Sequence, residues 1–215
     1  MSRRRGMFIT VEGGEGAGKS TQMDVIESVL RDRGIHVLRT REPGGTPLAE
    51  EIRGLLLAPR DEAVVELTEL LLVFAARAQH VASLIEPALA RGDWVLCDRF
   101  VDATLAYQGA GRGMSSDAID RLRELVLGTF APDFTLLLDV TVGRGLERAA
   151  ARGAHDRFER ESLEFHERVR SCYLALALQE PHRISVVDAG AELKVVTESV
   201  RHSVEAFLLR AGISR

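Results

Sequence analysis

Asparagine is missing from this chain of 215 residues, and lysine occurs only at positions 19 and 194. The other 26 of its 28 basic residues are arginine. A switch GTPase reads guanine through an Asn-Lys-x-Asp loop, so the absence of asparagine excludes that class of protein. A lysine kept in so arginine-rich a sequence is a candidate for a specific role, and Lys19 is the first such candidate.

Cysteine is scarce, and long apolar runs are missing. Cys97 and Cys172 cannot form a disulfide framework, and no cluster with metal-ligand spacing accompanies them. The basic start of the chain is followed by no apolar region long enough for a signal peptide. The longest apolar run, residues 70–76, is ended by Arg77, well short of the ~18 apolar residues of a membrane helix. We therefore expect a cytoplasmic protein with reduced thiols and no membrane contact.

An excess of positive charge is also missing. The formal net charge is −4, so no basic face of the kind that binds duplex nucleic acid is expected. With 46% hydrophobic and 28% charged residues, the composition is that of an ordinary globular protein. The length suits a single domain over residues 1–215.

Short apolar runs alternate with amphipathic stretches along the whole chain. Five runs are short, rich in β-branched residues or leucine, and continuous rather than alternating, as expected for strands buried on both faces. They occupy residues 7–11, 36–40, 94–97, 134–138 and 184–187. Helical patterns occupy residues 20–33, 48–57, 67–89, 115–127, 144–152, 162–178 and 191–209. This alternation predicts an α/β fold in which right-handed crossovers build a parallel sheet covered by helices.

Two segments are predicted to be irregular. The glycines of GAGRG at residues 109–113 indicate a loop, which leads into the N-cap of the next helix. The arginine-rich stretch over residues 148–162 has no sustained apolar face beyond Gly153, which indicates an exposed, mobile segment.

The most specific motif is GGEGAGKS, which fits G-x-x-x-x-G-K-[ST] between the first strand and the first helix. Glycines allow backbone N–H groups to surround phosphate oxygens, and the helix N-terminus adds partial positive charge. In such a loop the lysine reaches the β- and γ-phosphates, and the hydroxyl of Ser20 is a ligand for Mg²⁺. The sequence therefore predicts a nucleotide-phosphate site at Gly13, Gly14, Glu15, Gly16, Ala17, Gly18, Lys19, Ser20 and Thr21.

Acidic residues and arginines follow other predicted strands. Asp98 and Asp139 each end a strand, where Mg²⁺ or a metal-bound water is usually held, although Asp139 also suits a helix N-cap. Five arginines lie at or near strand ends, loops or helix faces that can converge on the carboxyl edge of the sheet: Arg41, Arg53, Arg77, Arg99 and Arg112. Singly, each fits an ordinary surface arginine, but together beside a phosphate loop they favour a small kinase with an anionic acceptor.

Longer stretches resemble bacterial thymidylate kinases over nearly the whole chain, in the order found in that family. They are FITVEGGEGAGKST, TREPGGTPLAEEIR, FAARAQH, DRFVDATLAYQGAGRG, PDFTLLLDV and RAAARGAHDRFE. The resemblance implies a three-layer P-loop kinase fold with a five-stranded parallel sheet, and a homodimer. It also implies that ATP, with Mg²⁺, phosphorylates thymidine monophosphate (dTMP) to dTDP, a step of de novo and salvage dTTP biosynthesis.

The resemblance also implies roles on the acceptor side. Glu15 is expected near the sugar hydroxyl of dTMP, and Tyr107 against the deoxyribose, where it leaves no room for a 2′-hydroxyl. Arg99 is expected to clamp the acceptor phosphate, with Arg53 and Arg41 as further members of the clamp, because a guanidinium fork matches phosphate geometry.

For the base, Arg77 resembles the residue that hydrogen-bonds the thymine ring, with Thr104 and Gln108 on the other edge. Many members of the family carry an aromatic residue four positions before this arginine, where the present chain has Val73. Phe74 shares a helical face with Arg77 and is a candidate for stacking on the base. An ordinary place in the apolar core is its alternative.

The phosphate loop contains no arginine, whereas an arginine placed on the transition state accelerates phosphoryl transfer by about 10³–10⁵. The family supplies one either from this loop or from a lid that closes over ATP. This chain resembles the second type, with a lid at about residues 148–161. We assign Arg148 to ATP binding and Arg152 or Arg157 to catalysis, the alternative being a solvated charged helix followed by a loop.

Two other functions stay open at this point. A deoxynucleoside kinase would need a general base toward a sugar hydroxyl, for which Glu42 or Asp98 would serve. A regulatory module would bind ATP without chemistry. Arginines directed at a second phosphate argue against the first function. The basic lid and the Asp-Arg pair at residues 98–99 argue against the second.

Overall fold

Five strands form one parallel sheet in the computed structural model, which describes residues 5–151, 153 and 157–213. They are β1 (Phe8–Glu12), β2 (Val37–Arg41), β3 (Trp94–Asp98), β4 (Phe134–Asp139) and β5 (Ile184–Asp188), paired in the order β2-β3-β1-β4-β5. All four pairings are parallel. The predicted α/β fold with a five-stranded parallel sheet is confirmed, and each strand lies within one residue of its predicted position.

Helices connect these strands. In chain order they are α1 (Lys19–Arg31), α2 (Pro47–Leu57), α3 (Glu66–His80), α4 (Glu86–Ala90), α5 (Val101–Thr104), α6 (Ser116–Leu127), α7 (Val142–Ala150), α8 (Leu163–Gln179) and α9 (Leu193–Arg210). Two π-helical segments, Val81–Ile85 and Leu105–Gly111, continue α3 and α5 without a break. The connections leave the loops that follow β1, β2 and β3 together at the carboxyl edge of the sheet.

The core lies on both faces of the sheet, as the continuously apolar strands predict. On one face Ile9, Leu96 and Leu136 pack with residues of α1 and α9. On the other face Phe8 and Val95 pack with α4 and the segment before it. Every residue of β1 is buried, so the strand that leads into the phosphate loop is held in place from both sides.

The predicted loop at residues 109–113 is wrong for its first three residues, which belong to the π-helical segment Leu105–Gly111. Here glycine serves close packing rather than a turn. A Cβ on Gly111 would come within 2.6 Å of the Phe165 ring of α8, and one on Gly109 within 3.3 Å of Ile119. Helix α8 can therefore approach this segment closely, and Tyr107 of the same segment lies within hydrogen-bond distance of Glu15 in the phosphate loop.

The continuous helical stretch Glu66–Ala90 has the length and composition of a membrane span, and half of its most apolar window is buried inside the protein. Among the described residues it is the one stretch that passes this test. Leu70, Val81, Ile85 and Leu89 of this stretch are almost fully buried. Burial of this kind is typical of a core helix, which explains its apolar character without a bilayer.

The phosphate loop is pressed against α7. Gly16 has a φ of 65°, and a Cβ there would lie 1.9 Å from the carbonyl oxygen of Gly145. A Cβ on Gly145 would in turn lie 2.4 Å from the carbonyl oxygen of Glu15. Glycine is needed at both positions because two backbones meet without space for a side chain.

Candidate active site

A cavity of about 260 Å³ opens where β1, β2 and β3 end. Fourteen of the residues predicted from the sequence line it: Glu15, Gly16, Ala17, Gly18, Lys19, Ser20, Arg41, Arg53, Arg77, Asp98, Arg99, Thr104, Tyr107 and Gln108. A second groove of about 360 Å³ lies on the other side of the phosphate loop, and Thr21 and Arg148 line it. Gly13, Gly14, Phe74 and Arg157 line neither space.

Lys19, the first residue of α1, lies beside Asp98 at the floor of the cavity. Its Nζ is 4.0 Å from Asp98 Oδ1. Burial lowers the pKa of Lys19, and the nearby charge of Arg99 lowers it further, while Asp98 and Glu15 act in the opposite direction. A buried cation thus stands at the phosphate loop, where an anionic ligand would complete its electrostatic environment.

Asp98 has the properties of a carboxylate that accepts hydrogen bonds from the water shell of a metal ion. Its Oδ1 is buried and has no hydrogen-bond partner among the described residues, which is unusual for a carboxylate oxygen. Ser20 lines the same cavity. The described residues contain no group of three or more His, Cys, Asp or Glu side chains able to hold a metal. Any Mg²⁺ here would therefore take most of its ligands from nucleotide phosphates and water, as is usual for this ion.

Asp139, the second carboxylate predicted at a strand end, does not line the main cavity. Both of its oxygens accept hydrogen bonds from Arg170 of α8, at 2.8 and 2.9 Å. The alternative interpretation of Asp139 as a helix N-cap is wrong, because Thr141 is the N-cap residue of α7.

Arg99 projects into the cavity from an unusual backbone conformation. Its φ of 68° is left-handed, which is rare for residues other than glycine and occurs preferentially at functional sites. Nη1 donates to the carbonyl oxygen of Gly13 at 2.9 Å, and Nη2 donates to Glu15 Oε1 at 2.8 Å. The guanidinium also lies 4.7 Å from the centre of the Tyr107 ring. These contacts fix a planar cation directly above the phosphate loop.

Glu15 is the anion that holds this arginine. Burial by itself raises the pKa of Glu15, but the charges of Arg99 and Lys19 outweigh it and lower that pKa to about 2. Tyr107 donates a hydrogen bond of 2.7 Å to the same carboxylate oxygen that Arg99 binds. Glu15 therefore stays ionised over the whole physiological pH range and links the predicted sugar side of the site to its phosphate side.

Sequence reasoning missed a second carboxylate, Glu12, at the end of β1. It is fully buried and accepts hydrogen bonds from the backbone N–H of Phe100 at 2.7 Å and from the Tyr173 hydroxyl at 2.8 Å. That hydroxyl also accepts a hydrogen bond of 3.2 Å from Arg99 Nη1. Glu12 and Tyr173 thus hold both the backbone after Arg99 and its side chain. The sequence did contain a signal for Glu12, because it is the one charged residue of β1 and lies at the end of that strand.

The buried Glu12 makes folding stability depend on pH. Burial, followed by the charge of Asp102, raises the pKa of Glu12 from 4.5 to about 8. Between these values the folded protein keeps a proton that the unfolded chain releases, so this group's contribution to stability falls as pH rises. We expect Glu12→Gln to remove a slope of about 1 kcal/mol per pH unit between pH 5 and 8. Urea unfolding at several pH values measures it, and parallel stability curves for the two proteins would contradict this expectation.

At the far end of the cavity, Arg77 of α3 is held by Glu42, which follows β2, and by the backbone that follows β3. Its Nε donates to Glu42 Oε2 at 2.7 Å, and His80 Nδ1 lies 3.0 Å from the other oxygen of Glu42. Arg77 Nη2 donates to the carbonyl oxygen of Phe100 at 3.1 Å. Its Nη1 is buried without a partner among the described residues, as is the hydroxyl oxygen of Thr104. Arg77 Nη1 and the Thr104 hydroxyl are therefore available to form hydrogen bonds with a ligand at this end of the cavity.

Phe74 packs away from the cavity. Its ring belongs to a core cluster with Leu70 and Ile119, and it lies 5.0 Å from the Arg77 guanidinium. Val73, rather than Phe74, lines the cavity wall. This placement agrees with the core alternative for Phe74, and the stacking of its ring on a base stays a prediction.

Arg41 and Arg53 line the cavity but contact other protein groups. Arg41 Nη2 donates to Glu50 at 2.8 Å, and Arg53 Nη1 donates to the carbonyl oxygen of Pro43 at 2.9 Å. Arg41 is half-exposed, and its side chain can turn from Glu50 to a ligand at little cost. Their contribution to a phosphate clamp stays a prediction.

The predicted lid arginines have different surroundings. Arg148 Nη1 donates to the carbonyl oxygen of Ala189 at 2.9 Å in the second groove. Arg152 lies outside the described residues. Arg157 donates from Nη2 to Glu69 at 2.6 Å and from Nε to the carbonyl oxygen of Leu56 at 3.0 Å.

The predicted exposed, mobile segment is not fully exposed at its end. Phe158 is half-buried and packs edge-on against the Tyr107 ring, with the ring centres 5.8 Å apart. It is one of the cavity-lining residues.

A phosphate loop, a lysine and an arginine above it, and a parallel sheet with its site at the carboxyl edge define a P-loop kinase. The sequence model of the thymidylate kinase family matches residues 11–200. A thymidylate kinase of Teredinibacter turnerae is 58% identical over 203 residues, which cover 94% of this chain and 99% of the relative. One of Pseudomonas putida is 57% identical over 202 residues, which cover 94% and 96%. The chain belongs to the thymidylate kinase family and is a phosphotransferase.

A solved structure agrees with this membership. The crystal structure of thymidylate kinase from Ehrlichia chaffeensis superposes with a TM-score of 0.75 at 35% sequence identity. The superposition covers 94% of this chain and 99% of that one. The predicted P-loop kinase fold is thereby confirmed.

Proposed function

We propose that this protein transfers the γ-phosphoryl group of ATP to dTMP, with Mg²⁺, and so forms dTDP for dTTP biosynthesis, both de novo and in salvage. The observation that carries this proposal is one cavity with fixed cations in its middle and unsatisfied polar groups at its far end. Lys19 and Arg99 are the cations, and Arg77 Nη1 and the Thr104 hydroxyl are the polar groups. Together with the groove beside the phosphate loop, such a cavity suits two nucleotides whose phosphates meet.

On the donor side, the phosphate loop and the N-terminus of α1 bind the phosphates of ATP. The second groove, which Thr21 and Arg148 line beside the loop, suits the remainder of this nucleotide. When bound, Mg²⁺ would supply positive charge to the phosphates of ATP. Ser20 would hold the ion, and Asp98, with its unpaired oxygen, would accept a hydrogen bond from its water shell.

On the acceptor side, Arg99 binds the phosphate of dTMP and the far end of the cavity binds the base. Arg77 offers a hydrogen-bond donor there, which suits a carbonyl oxygen of thymine. Tyr107 and Glu15, joined by a 2.7 Å hydrogen bond, form the wall where the sugar lies. A wall fixed in this way excludes a 2′-hydroxyl by steric hindrance.

A thymidine kinase activity is the competing reaction, and it needs a free carboxylate as general base. Glu42, one of the two candidates, is buried, and both of its oxygens are engaged by Arg77 and His80. An ADP-release assay with dTMP, thymidine, dUMP, dCMP, AMP and GMP, with and without Mg²⁺, tests the proposal. We expect turnover of dTMP to exceed that of thymidine by several orders of magnitude. Preference for thymidine, or no turnover of any acceptor, would contradict the proposal.

A lid arginine is expected to stabilise the phosphoryl group in transit. Among Arg148→Ala, Arg152→Ala and Arg157→Ala, we expect at least one to lower kcat by about 10²-fold or more, because a cation is withdrawn from the transition state. Arg160→Ala, which changes an exposed arginine of the same segment, is the matched control. Steady-state kinetics with saturating ATP and dTMP measures the effect. An unchanged kcat in all three variants would refute the role of the lid.

We also propose a cytoplasmic homodimer that uses no nucleic-acid or membrane partner. Large apolar side chains are exposed on neighbouring helices: Leu48 and Leu55 of α2, Leu67 and Leu71 of α3, and Leu125 of α6. Helices α2 and α3 pack together, and α3 packs on α6, so these side chains belong to one region of the surface. An apolar surface of this kind supports self-association, which sedimentation equilibrium measures.

A further inference from the structure

Glu69, near the start of α3, is a buried carboxylate at the base end of the cavity. Its exposed fraction is 0%, although glutamate is seldom fully buried. Four N–H groups donate to it. Gln108 Nε2 and Arg112 Nε donate to Oε1 at 2.8 and 3.3 Å. Arg112 Nη2 and Arg157 Nη2 donate to Oε2 at 3.2 and 2.6 Å. Both oxygens are therefore occupied, by three side chains from two separate parts of the chain.

This arrangement determines which way the amide of Gln108 faces. A carboxylate paired with two guanidinium groups only accepts hydrogen bonds, so the NH₂ of Gln108 must face Glu69. The planar amide then turns its carbonyl oxygen to the other side. Gln108 is 3% exposed and lines the cavity, and its hydrogen bond to Glu69 is the one that the described residues provide to its amide. At this position Gln108 therefore presents its carbonyl oxygen, a hydrogen-bond acceptor, to the cavity, and not its NH₂ group.

Arg77 and Gln108 together present one hydrogen-bond donor and one acceptor to the cavity. Arg77 Nη1 is a donor that has no partner among the described residues, and Gln108 is an acceptor. Thymine and uracil present a carbonyl oxygen next to a ring N–H, which is the complementary pattern. Cytosine presents an amino group next to an unprotonated ring nitrogen, which places donor against donor and acceptor against acceptor.

We propose that Glu69 is a positioning residue for base selection. By fixing the amide of Gln108, it makes the site accept pyrimidines with a ring N–H and reject cytosine. This inference rests on the proposed function. Arg112 and Arg157 form ion pairs with the Glu69 carboxylate through Oε2. A purely structural ion-pair cluster, the simplest alternative, would support folding without affecting the choice of base.

The substitution Glu69→Gln tests this directly. The single oxygen of the new side chain is expected to keep the place of Oε2, where Nη2 of Arg157 and Nη2 of Arg112 donate. Its NH₂ group then takes the place of Oε1, and the weaker 3.3 Å contact from Arg112 Nε is lost. Gln108 must then present its oxygen to residue 69 and its NH₂ to the cavity. We expect the ratio of kcat/KM for dTMP to kcat/KM for dCMP to fall at least about tenfold, with part of the change in a lower KM for dCMP. Glu66→Gln, an exposed substitution in the same helix, is the matched control.

A second variant separates positioning from folding. In Gln108→Leu no amide is left to orient, so adding Glu69→Gln to it is expected to leave the dTMP-to-dCMP ratio unchanged. If wild-type protein does not phosphorylate dTMP in this assay, the proposed function fails. If it does and Glu69→Gln keeps the wild-type ratio, or changes it equally in the Gln108→Leu background, the role of Glu69 is refuted. Should Glu69→Gln not fold, an unchanged ratio in Gln108→Leu alone refutes it, because then the amide selects nothing.

Discussion

Lys19→Ala is expected to lower kcat by about 10³-fold while the protein stays folded. The ammonium group lies at the phosphate loop, 4.0 Å from Asp98, where the proposed function places the phosphoryl group in transit. Removing one preorganised charge of this kind costs two to three orders of magnitude in rate. Because Lys19 is the single lysine of the cavity wall and no other lysine lies nearby in the described chain, nothing of the same type replaces it.

Stability is expected to respond in the opposite way. Burial and Arg99 lower the pKa of Lys19, which means that its charge costs folding free energy. Lys19→Ala should therefore unfold at a temperature no lower than that of the wild-type protein. Lys194→Ala changes the only other lysine, which is exposed on α9, and should leave both kcat and stability unchanged. A Lys19→Ala protein with nearly normal kcat would contradict the role of the phosphate loop.

Arg99 is the second position where a large loss is expected. Arg99→Ala should lower kcat/KM for dTMP by about 10²–10³-fold, because the acceptor phosphate loses its cation. Arg99→Lys keeps the charge but loses the planar fork, which here binds Gly13 and Glu15 at once. Lysine should therefore restore only a small part of the activity.

The effect should be confined to the acceptor. The KM for ATP is expected to stay nearly unchanged in both Arg99 variants, since neither changes α1 or the loop backbone, which we propose bind the phosphates of ATP. Initial rates over a grid of ATP and dTMP concentrations separate the two parameters. Full activity of Arg99→Lys, or a loss that falls on ATP alone, would show that Arg99 does not bind the acceptor phosphate.

The sequence was sufficient for the strands and for the phosphate loop, for identifiable reasons. Four of the five strands are apolar along most of their length, and this pattern can be recognised within the short stretch itself. The exception is β2, which contains two arginines and a threonine. The phosphate loop is a local motif whose flanking strand and helix can be recognised from the same stretch of chain. Lys19, Asp98 and Arg99 followed from that motif and from the strand ends, and the structure brings all three to one cavity.

The supporting residues could not be predicted in this way. Glu42 and Arg77 lie 35 positions apart, and Glu69 and Arg157 lie 88 apart, so their pairing depends on the packed tertiary structure. Arg112, one of five arginines with similar sequence surroundings, proved to bind Glu69 rather than to line the cavity. Charge–charge partners at such separations leave no periodic pattern in a single sequence.

The prediction of a glycine-rich loop at residues 109–113 was wrong for residues 109–111, for a related reason. Glycine at positions 109 and 111 is compatible with a turn and with close helix packing. The sequence alone does not distinguish these two reasons for a glycine. Only the presence of Phe165 2.6 Å from the position of a Cβ on Gly111 distinguishes them.

In the proposed function, the phosphates of two nucleotides meet between Lys19 and Arg99. A single molecule that contains both nucleotides should therefore bind at this site. A dinucleotide that joins adenosine to thymidine through five phosphates is expected to occupy the donor groove and the acceptor cavity together. Inhibition kinetics with this compound, with ATP and dTMP varied in turn, is the most direct measurement. We expect it to compete with both substrates and to bind far more tightly than either. Competition with only one substrate, or an affinity no greater than that of ATP alone, would contradict a shared site.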